Sequence, residues 1–402
     1  SGTVLPLATL STGHMNNIFH VTPLRGQPGK VATCAMDGFL RLTDLETGQS
    51  RAVVSPERED DMGGLLPVGL MSLRPAMCFS HHFLSRNTGL VCTERGLRRF
   101  DLRLPPREQS PRNLLGGSWR GCKACAIWSV SKSTSSLEEG DSAYIFAGGA
   151  SSEVALCDLR MTDDISTKIV QKYCPRSLSA SDGVSVSGLD LSKDGQELLV
   201  SYESDQVYTF PVFPLSNSAA GPTVDDIGRL SGEGETKVVA DLACYGGHLN
   251  RFTFLKNAKY AGPRDEYICT GSDSGRAWIY EKSTGSVVSF LNADHSTCNG
   301  VIPHPRLPFF ITYGIDSTAK LWRASTPVDP NVDDSAEGRQ KCARKQEYEM
   351  SATVQDWESV QKHLRKLDCD ELKDFVDLLP DQIPCAKDMQ NRGRFAVHLF
   401  RD

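Results

Sequence analysis

The chain has 402 residues, 39% hydrophobic and 23% charged, enough to bury a large core in one domain or two. Its formal net charge is -6 and it holds no dense basic run, which argues against a nucleic-acid surface built on phosphate contacts. No apolar run reaches the length of a membrane span, and residues 1–25 lack the charged start, apolar centre and cleavage site of a secretory signal, so the expected location is the cytoplasm, the nucleus or both.

In chain order, residues 3–10 (TVLPLATL) read as an outer strand just ahead of Gly13-His14. Six segments then share one pattern: an apolar strand, a short polar turn, and a second strand that closes on an aromatic residue or its substitute. They begin at Lys30, Gly89, Tyr144, Glu197, Glu266 and Phe309, and their closing positions are Thr43, Phe100, Cys157, Phe210, Tyr280 and Trp322. The shortest interval, 42 residues between Tyr280 and Trp322, is the length of one four-stranded propeller blade, and the longer intervals imply loop insertions. Side chains alternate within each segment as they do in half-buried strands. Residues 46–77, 104–121, 161–185 and 212–244, rich in Pro, Gly, Ser and charge, read as exposed insertions. Six units at this spacing predict an all-β propeller over residues 1–325.

The array resembles the WD40 family. Gly13-His14, Gly247-His248 and Asp294-His295 stand where such repeats open, and Asp37, Asp273 and Asp316 occupy the turns of the same three units. A buried His and Asp satisfy each other's polar atoms, so these residues and Trp322 are read as structural. The last unit shows no outer strand of its own. Either the N-terminal strand closes that sheet to give six blades, or the intact fold has seven.

Residues 326–345 form an acidic, polar linker, and residues 346–402 a helical extension. Val354, Trp357, Val360, Leu364 and Leu367 fall on one helical face, as do Leu372, Phe375, Val376 and Leu379, with Asp368 as a cap and Pro380 as a stop. The two helices either dock on the propeller or form a hairpin that binds a partner.

Catalysis and metal binding leave no recognisable signature. The chain has no Gly-x-Ser-x-Gly elbow, no phosphate loop and no His-Glu-x-x-His. Thirteen dispersed cysteines fit reduced, buried thiols, and Cys122-Lys-Ala-Cys125 has no second ligand pair at comparable spacing. Glu59, Asp60 and Asp61 read as a solvated loop, and His81-His82 as the start of a strand and not half of a metal site. The expectation is a protein that is not an enzyme, has no cofactor or metal, and has other proteins as its partners.

Two units end alike, in GLRRFDLR and EVALCDLR. In an extended segment Asp101 and Arg103 share one side with Leu102 opposite, and Asp158 and Arg160 repeat that arrangement in the following unit. A carboxylate that holds a guanidinium makes it an oriented fork, the kind of residue that anchors protein interfaces. Paired Asp-x-Arg endings on consecutive WD40 repeats resemble the motif by which substrate receptors dock on the damaged-DNA-binding adaptor of cullin-4 RING ubiquitin ligases. STGHMNNIFHVTPL, CAMDGFLRLTDL, LLVSYESDQVYTF, the stretch from Gly262-Pro263-Arg264 to Lys282, and Pro303-His304-Pro305 are similar to repeats of the cullin-4-associated factor eight and WD/tetratricopeptide subfamily. The resemblance spans about residues 11–325 and implies seven blades, the first preceding Ser1. It also implies an adaptor-facing role for Asp101, Arg103, Asp158 and Arg160. Phe100 and Cys157 stand where that motif has Trp, and the tail from residue 340 matches nothing in it. Two functions follow: a noncatalytic substrate receptor of the ligase, or a scaffold subunit of a large assembly without ubiquitin chemistry.

Overall fold

The computed structural model describes residues 8–24, 26–56, 76–110, 113–115, 121–128, 144–160, 169–178, 183–212, 238–251, 253, 256–323 and the backbone of 396–399. The linker at 326–345 and the two expected helices therefore lie outside the described residues. The chain divides into two compact units, one holding residues 1–186, 213–240 and 385–402, the other 187–212 and 241–384.

In the first unit, after β1 (Ala8–Ser11), one sheet runs β2 (Ile18–Leu24), β3 (Gln27–Ala35), β4 (Leu40–Asp44) and β5 (Ser50–Val54) in order. A second contains β6 (Cys78–Phe83), β7 (Thr88–Thr93) and β8 (Gly96–Asp101). A third holds β9 (Cys122–Trp128), β10 (Tyr144–Gly149), β11 (Val154–Asp158) and β12 (Ile169–Tyr173). In the second unit one sheet holds β13 (Ser185–Leu191), β14 (Glu197–Glu203) and β15 (Val207–Pro211), and two further sheets follow, one of four strands and one of three. Between them in sequence, β16 (Val238–Val239) adds to β12 in the first unit, and β17 (Ala243–Tyr245) completes the β13–β15 sheet. The remaining strands are β18 (Lys259–Ala261), β19 (Tyr267–Gly271), β20 (Arg276–Glu281), β21 (Val287–Asn292), β22 (Cys298–Pro303), β23 (Phe309–Gly314), β24 (Lys320–Arg323) and β25 (Ala396–Leu399).

These six sheets are blades, and each of the six sequence segments is the hairpin of its second and third strands: β3–β4, β7–β8, β10–β11, β14–β15, β19–β20 and β23–β24. Pairing is antiparallel throughout these hairpins, for example Val31↔Thr43, Gly89↔Phe100 and Phe310↔Trp322. Middle strands such as Leu198–Ser201 and Tyr144–Gly149 are buried on successive residues instead of alternating, the pattern of strands covered on both faces. In the first unit, cores form between the first and second blades around Leu42, Val91 and Phe100, and between the second and third around Leu90, Ile145 and Ala155. Gly38 closes the β3–β4 hairpin at φ +80, and a Cβ there would lie 2.5 Å from the Ala76 carbonyl, so only glycine fits that turn.

Several expectations change. The supposed insertions carry outer strands: β5 falls within 46–77, β12 within 161–185 and β16 within 212–244, with β17 starting at the end of that last stretch. These strands are short and half exposed, so their own sequence carries little period and their register is set by the partner edge. Residues 104–121 contain a 3-10 turn at Pro106–Glu108, after which Leu114 N–H donates to the Leu97 carbonyl at 2.7 Å along β8. Leu115 is buried in the core, so this segment is not a free loop. Finally, β1 pairs antiparallel with β25, Ala8 opposite Leu399, and β24 is the last strand of its sheet among the described residues. Among the described residues, the N-terminal strand thus pairs with β25 and not with the last blade.

Candidate functional site

The third strands of the first three blades end on Asp44, Asp101 and Asp158, and each is followed by the same turn. Each carboxylate accepts the backbone N–H two residues on: Glu46 at 3.0 Å, Arg103 at 2.9 Å and Arg160 at 2.9 Å. The turn is therefore a property of Asp at that position. Only the second and third blades add an Arg to it, since the first blade carries Glu46.

Arg103 Nε donates to Asp101 Oδ1 at 2.9 Å and its Nη2 to Oδ2 at 2.6 Å, a two-point fork. The Arg103 side chain is nevertheless 67% exposed. Leu102, between them, is buried, and its carbonyl accepts from Arg51 Nη2 at 3.0 Å, which ties the turn to the preceding blade. Gln109, buried, donates to the Asp101 carbonyl at 2.7 Å and accepts its N–H at 2.9 Å. The backbone beneath the fork is thus clamped on both sides.

Arg160 repeats the fork, with Nε 3.0 Å from Asp158 Oδ1 and Nη2 2.7 Å from Oδ2. It adds a hydrogen bond from Nη2 to the Tyr144 hydroxyl and lies over the Tyr144 ring at 4.9 Å. Tyr144 is the cross-strand partner of Asp158, whereas Thr88 faces Asp101, so the two forks have different supports. The side chain of Arg160 is 58% exposed. Exposed ion pairs of this kind contribute little to folding. Their effect is to hold two guanidinium groups at fixed directions with donor edges facing solvent.

The electrostatics agree with the geometry. Hydrogen bonds from Arg103 hold the Asp101 carboxyl down at about 2. Burial pushes Asp158 upward, but the Arg160 hydrogen bonds outweigh it and leave the group below its ordinary value. A carboxyl lowered in the fold keeps its pair above the ordinary value near about 3.9 and loses it only as pH falls through the lowered one. An NMR titration of the Asp101 carboxyl carbon is expected to show a midpoint near 2 in the native chain, rising toward about 3.9 in Arg103→Ala, where only the backbone N–H bond to the carboxylate remains. An unchanged midpoint in the variant would refute the fork.

Two of the three His–Asp sets are direct contacts. His14 Nδ1 lies 3.0 Å from both Asp37 oxygens, with the Thr33 hydroxyl 3.0 Å from its Nε2, all buried. His295 Nδ1 reaches Asp316 at 2.9 Å, although the His295 side chain is 85% exposed. In that last blade Trp322 Nε1 donates to Thr312 at 2.8 Å.

The chain is 43% identical over 84 residues to the Arabidopsis thaliana protein ALTERED SEED GERMINATION 2, and 42% identical over 78 residues to human WD and tetratricopeptide repeats protein 1. It is 35% identical over 78 residues to human DDB1- and CUL4-associated factor 6. These matches take in 19–21% of this chain and only 9–12% of the relatives' own length. No family model matches. Among solved structures, the β-propeller domain of Myceliophteria thermophila Cps50 (Swd1) superposes with a TM-score of 0.50 at 14% identity, covering 77% of this chain and 83% of that one. The chain is a WD40-repeat β-propeller protein.

One set of this WD40 propeller departs from the expected pairing. His248 does not meet Asp273. Its Nδ1 donates to the Tyr280 hydroxyl at 3.0 Å, and that hydroxyl donates on to the Gly246 carbonyl at 2.9 Å. Asp273 instead pairs with Lys256 Nζ and accepts the Arg251 N–H, with both side chains of the ion pair wholly buried. A buried carboxylate is compensated better by a full positive charge than by a neutral imidazole. Tyr280, at the closing position of its repeat, supplies the hydroxyl that His248 then needs. Burial, followed by the charge of Lys256, pushes His248 down to about 3. His248 is therefore neutral in the fold, and its contribution is complete above its unfolded value of about 6.5 and lost as pH falls toward the lowered one. Tyr280→Phe is expected to destabilise the WD40 propeller by about 1–3 kcal/mol in urea unfolding, by stranding the His248 N–H and the Gly246 carbonyl; a loss of under about 0.5 kcal/mol would contradict this bond.

Sequence reasoning missed three elements of this WD40 chain. Gln109 and Tyr144 lie 8 and 16 residues from the fork positions they support, and nothing local in the sequence marks them. Among the described residues His20, Cys34 and His81 also bring one metal-ligating atom each to within 4.8 Å of one another. No helix among the described residues is long and apolar enough to cross a membrane.

Proposed function

We propose that this protein, a WD-repeat protein-interaction module, acts as a noncatalytic substrate receptor of a cullin-4 RING ubiquitin ligase in the cytoplasm or nucleus. Arg103 and Arg160 dock on the ligase adaptor, and a separate surface captures the protein to be ubiquitinated. The observation that carries this reading is the pair of chelated, exposed guanidinium forks at equivalent turns of successive blades. One fork would be an ordinary surface ion pair. Two, with the same Asp-turn beneath each and different supports around it, are pre-organised in the way interface anchors are. The similarity to a relative whose name is DDB1- and CUL4-associated factor 6 gives the same direction. WD-repeat propellers are typically noncatalytic.

The test is affinity purification from cells of the native chain and of a variant with Arg103→Ala and Arg160→Ala, followed by mass spectrometry. The receptor reading expects the adaptor and cullin-4 with the native chain and neither with the folded variant. Recovery of one stable assembly with both proteins, and of the adaptor with neither, would instead identify a scaffold subunit.

A further inference from the structure

We propose that His20, Cys34 and His81 form a binding site for a transition-metal ion of the zinc class, joining the first blade to the second. The residues converge because of register. His20 on β2 is the cross-strand partner of Cys34 on β3, so both side chains leave the same face of the first blade. The first strand of the second blade, β6, lies against β2 and β3 and carries Cys78 and His81 in a Cys-x-x-His spacing. Cys34 and Cys78 are buried in the same core cluster.

Distances fit the ion. His20 Nδ1 and His81 Nδ1 stand 3.3 Å apart. Two ligand nitrogens on a tetrahedral zinc ion, at bonds of about 2.05 Å, are separated by about 3.3–3.4 Å, and a nitrogen and a sulfur by about 3.6 Å. The imidazole pair is thus already at ligand spacing, and the three donor atoms, all within 4.8 Å, need about 1 Å of side-chain adjustment to close on one ion. Cys34, Cys78 and His81 are fully buried and His20 is half-buried, which leaves His20 as the side of entry.

The donor chemistry narrows the ligand. Imidazole and thiol with no carboxylate disfavour magnesium and calcium and suit zinc. The alternative is a histidine pair held only by hydrogen bonding among core thiols, with His20 Nδ1 3.3 Å from His81 Nδ1 and accepting the His81 backbone N–H at 3.4 Å; zinc uptake separates the two. A second thiol group lies nearby, with Cys122 Sγ 3.6 Å from Cys92 Sγ, and is the natural competitor for the same ion.

The test uses the full 402-residue chain, stripped with chelator under reducing conditions and titrated with Zn2+. The expected result is one equivalent bound, an X-ray absorption shell of two imidazole nitrogens with one sulfur, and a higher melting temperature. His20→Asn and Cys34→Ser are each expected to weaken binding by about 100-fold or more, at or above the upper end of what loss of a mere supporting partner costs. Cys122→Ser should bind as the native chain does. Failure of the native chain to take up stoichiometric zinc would overturn the site, as would an all-sulfur shell, which belongs to the Cys92–Cys122–Cys125 group. The absorption spectrum is read on the native chain, so the outcome does not depend on how well a variant folds.

Discussion

Alanine at both Arg103 and Arg160 is expected to weaken binding to the purified ligase adaptor by about 1,000-fold, with each single substitution costing about 30-fold. The magnitude follows from treating each fork as an interface anchor: its direction is fixed before binding, so little ordering entropy is lost on docking. The forks sit on separate blades and share no partner, so their effects should be close to additive. Lysine at both positions should fail nearly as badly, because an ammonium keeps the charge but cannot make the two-point contact. Asp101→Asn should cost less than Arg103→Ala, since it loosens the fork without removing it. Stability should hardly move, both side chains being more than half exposed. Calorimetry or biolayer interferometry on proteins checked by circular dichroism decides the matter. Affinity of the double variant within about threefold of native would end the docking reading.

Asp273→Ala is expected to destabilise the fold by about 3–5 kcal/mol, because it leaves the Lys256 ammonium buried without its counter-charge. The Thr253 hydroxyl, 2.6 Å from Lys256 Nζ, offers only a dipole in its place. Lys256→Met should cost somewhat less, as Asp273 keeps the Arg251 N–H. The double variant Lys256→Met, Asp273→Leu removes both charges and should return to within about 2 kcal/mol of native, since buried pairs rarely outperform well-packed apolar residues. Urea unfolding of the four proteins closes a double-mutant cycle with a large coupling energy. Independent, additive costs would mean that the two groups do not compensate each other.

The sequence by itself determined the blades and their hairpins. Each hairpin is local: an apolar run, a turn of Asp, Gly or Ser, and a second run within twenty residues, so period and turn chemistry suffice to place β3–β4 through β23–β24. The forks were equally legible, since residues two apart in an extended segment share a side whatever surrounds them. Tertiary structure alone decided the rest. Outer strands such as Ser50–Val54 and Ile169–Tyr173 take their register from a partner edge. His248 chose Tyr280 over Asp273 because Lys256, unremarkable in sequence, is buried beside that carboxylate. β1 found β25 at the far end of the chain, and His20, Cys34 and His81 met because two blades pack strand against strand. Such choices depend on which charges and edges are brought together across long stretches of chain, and no local period encodes that.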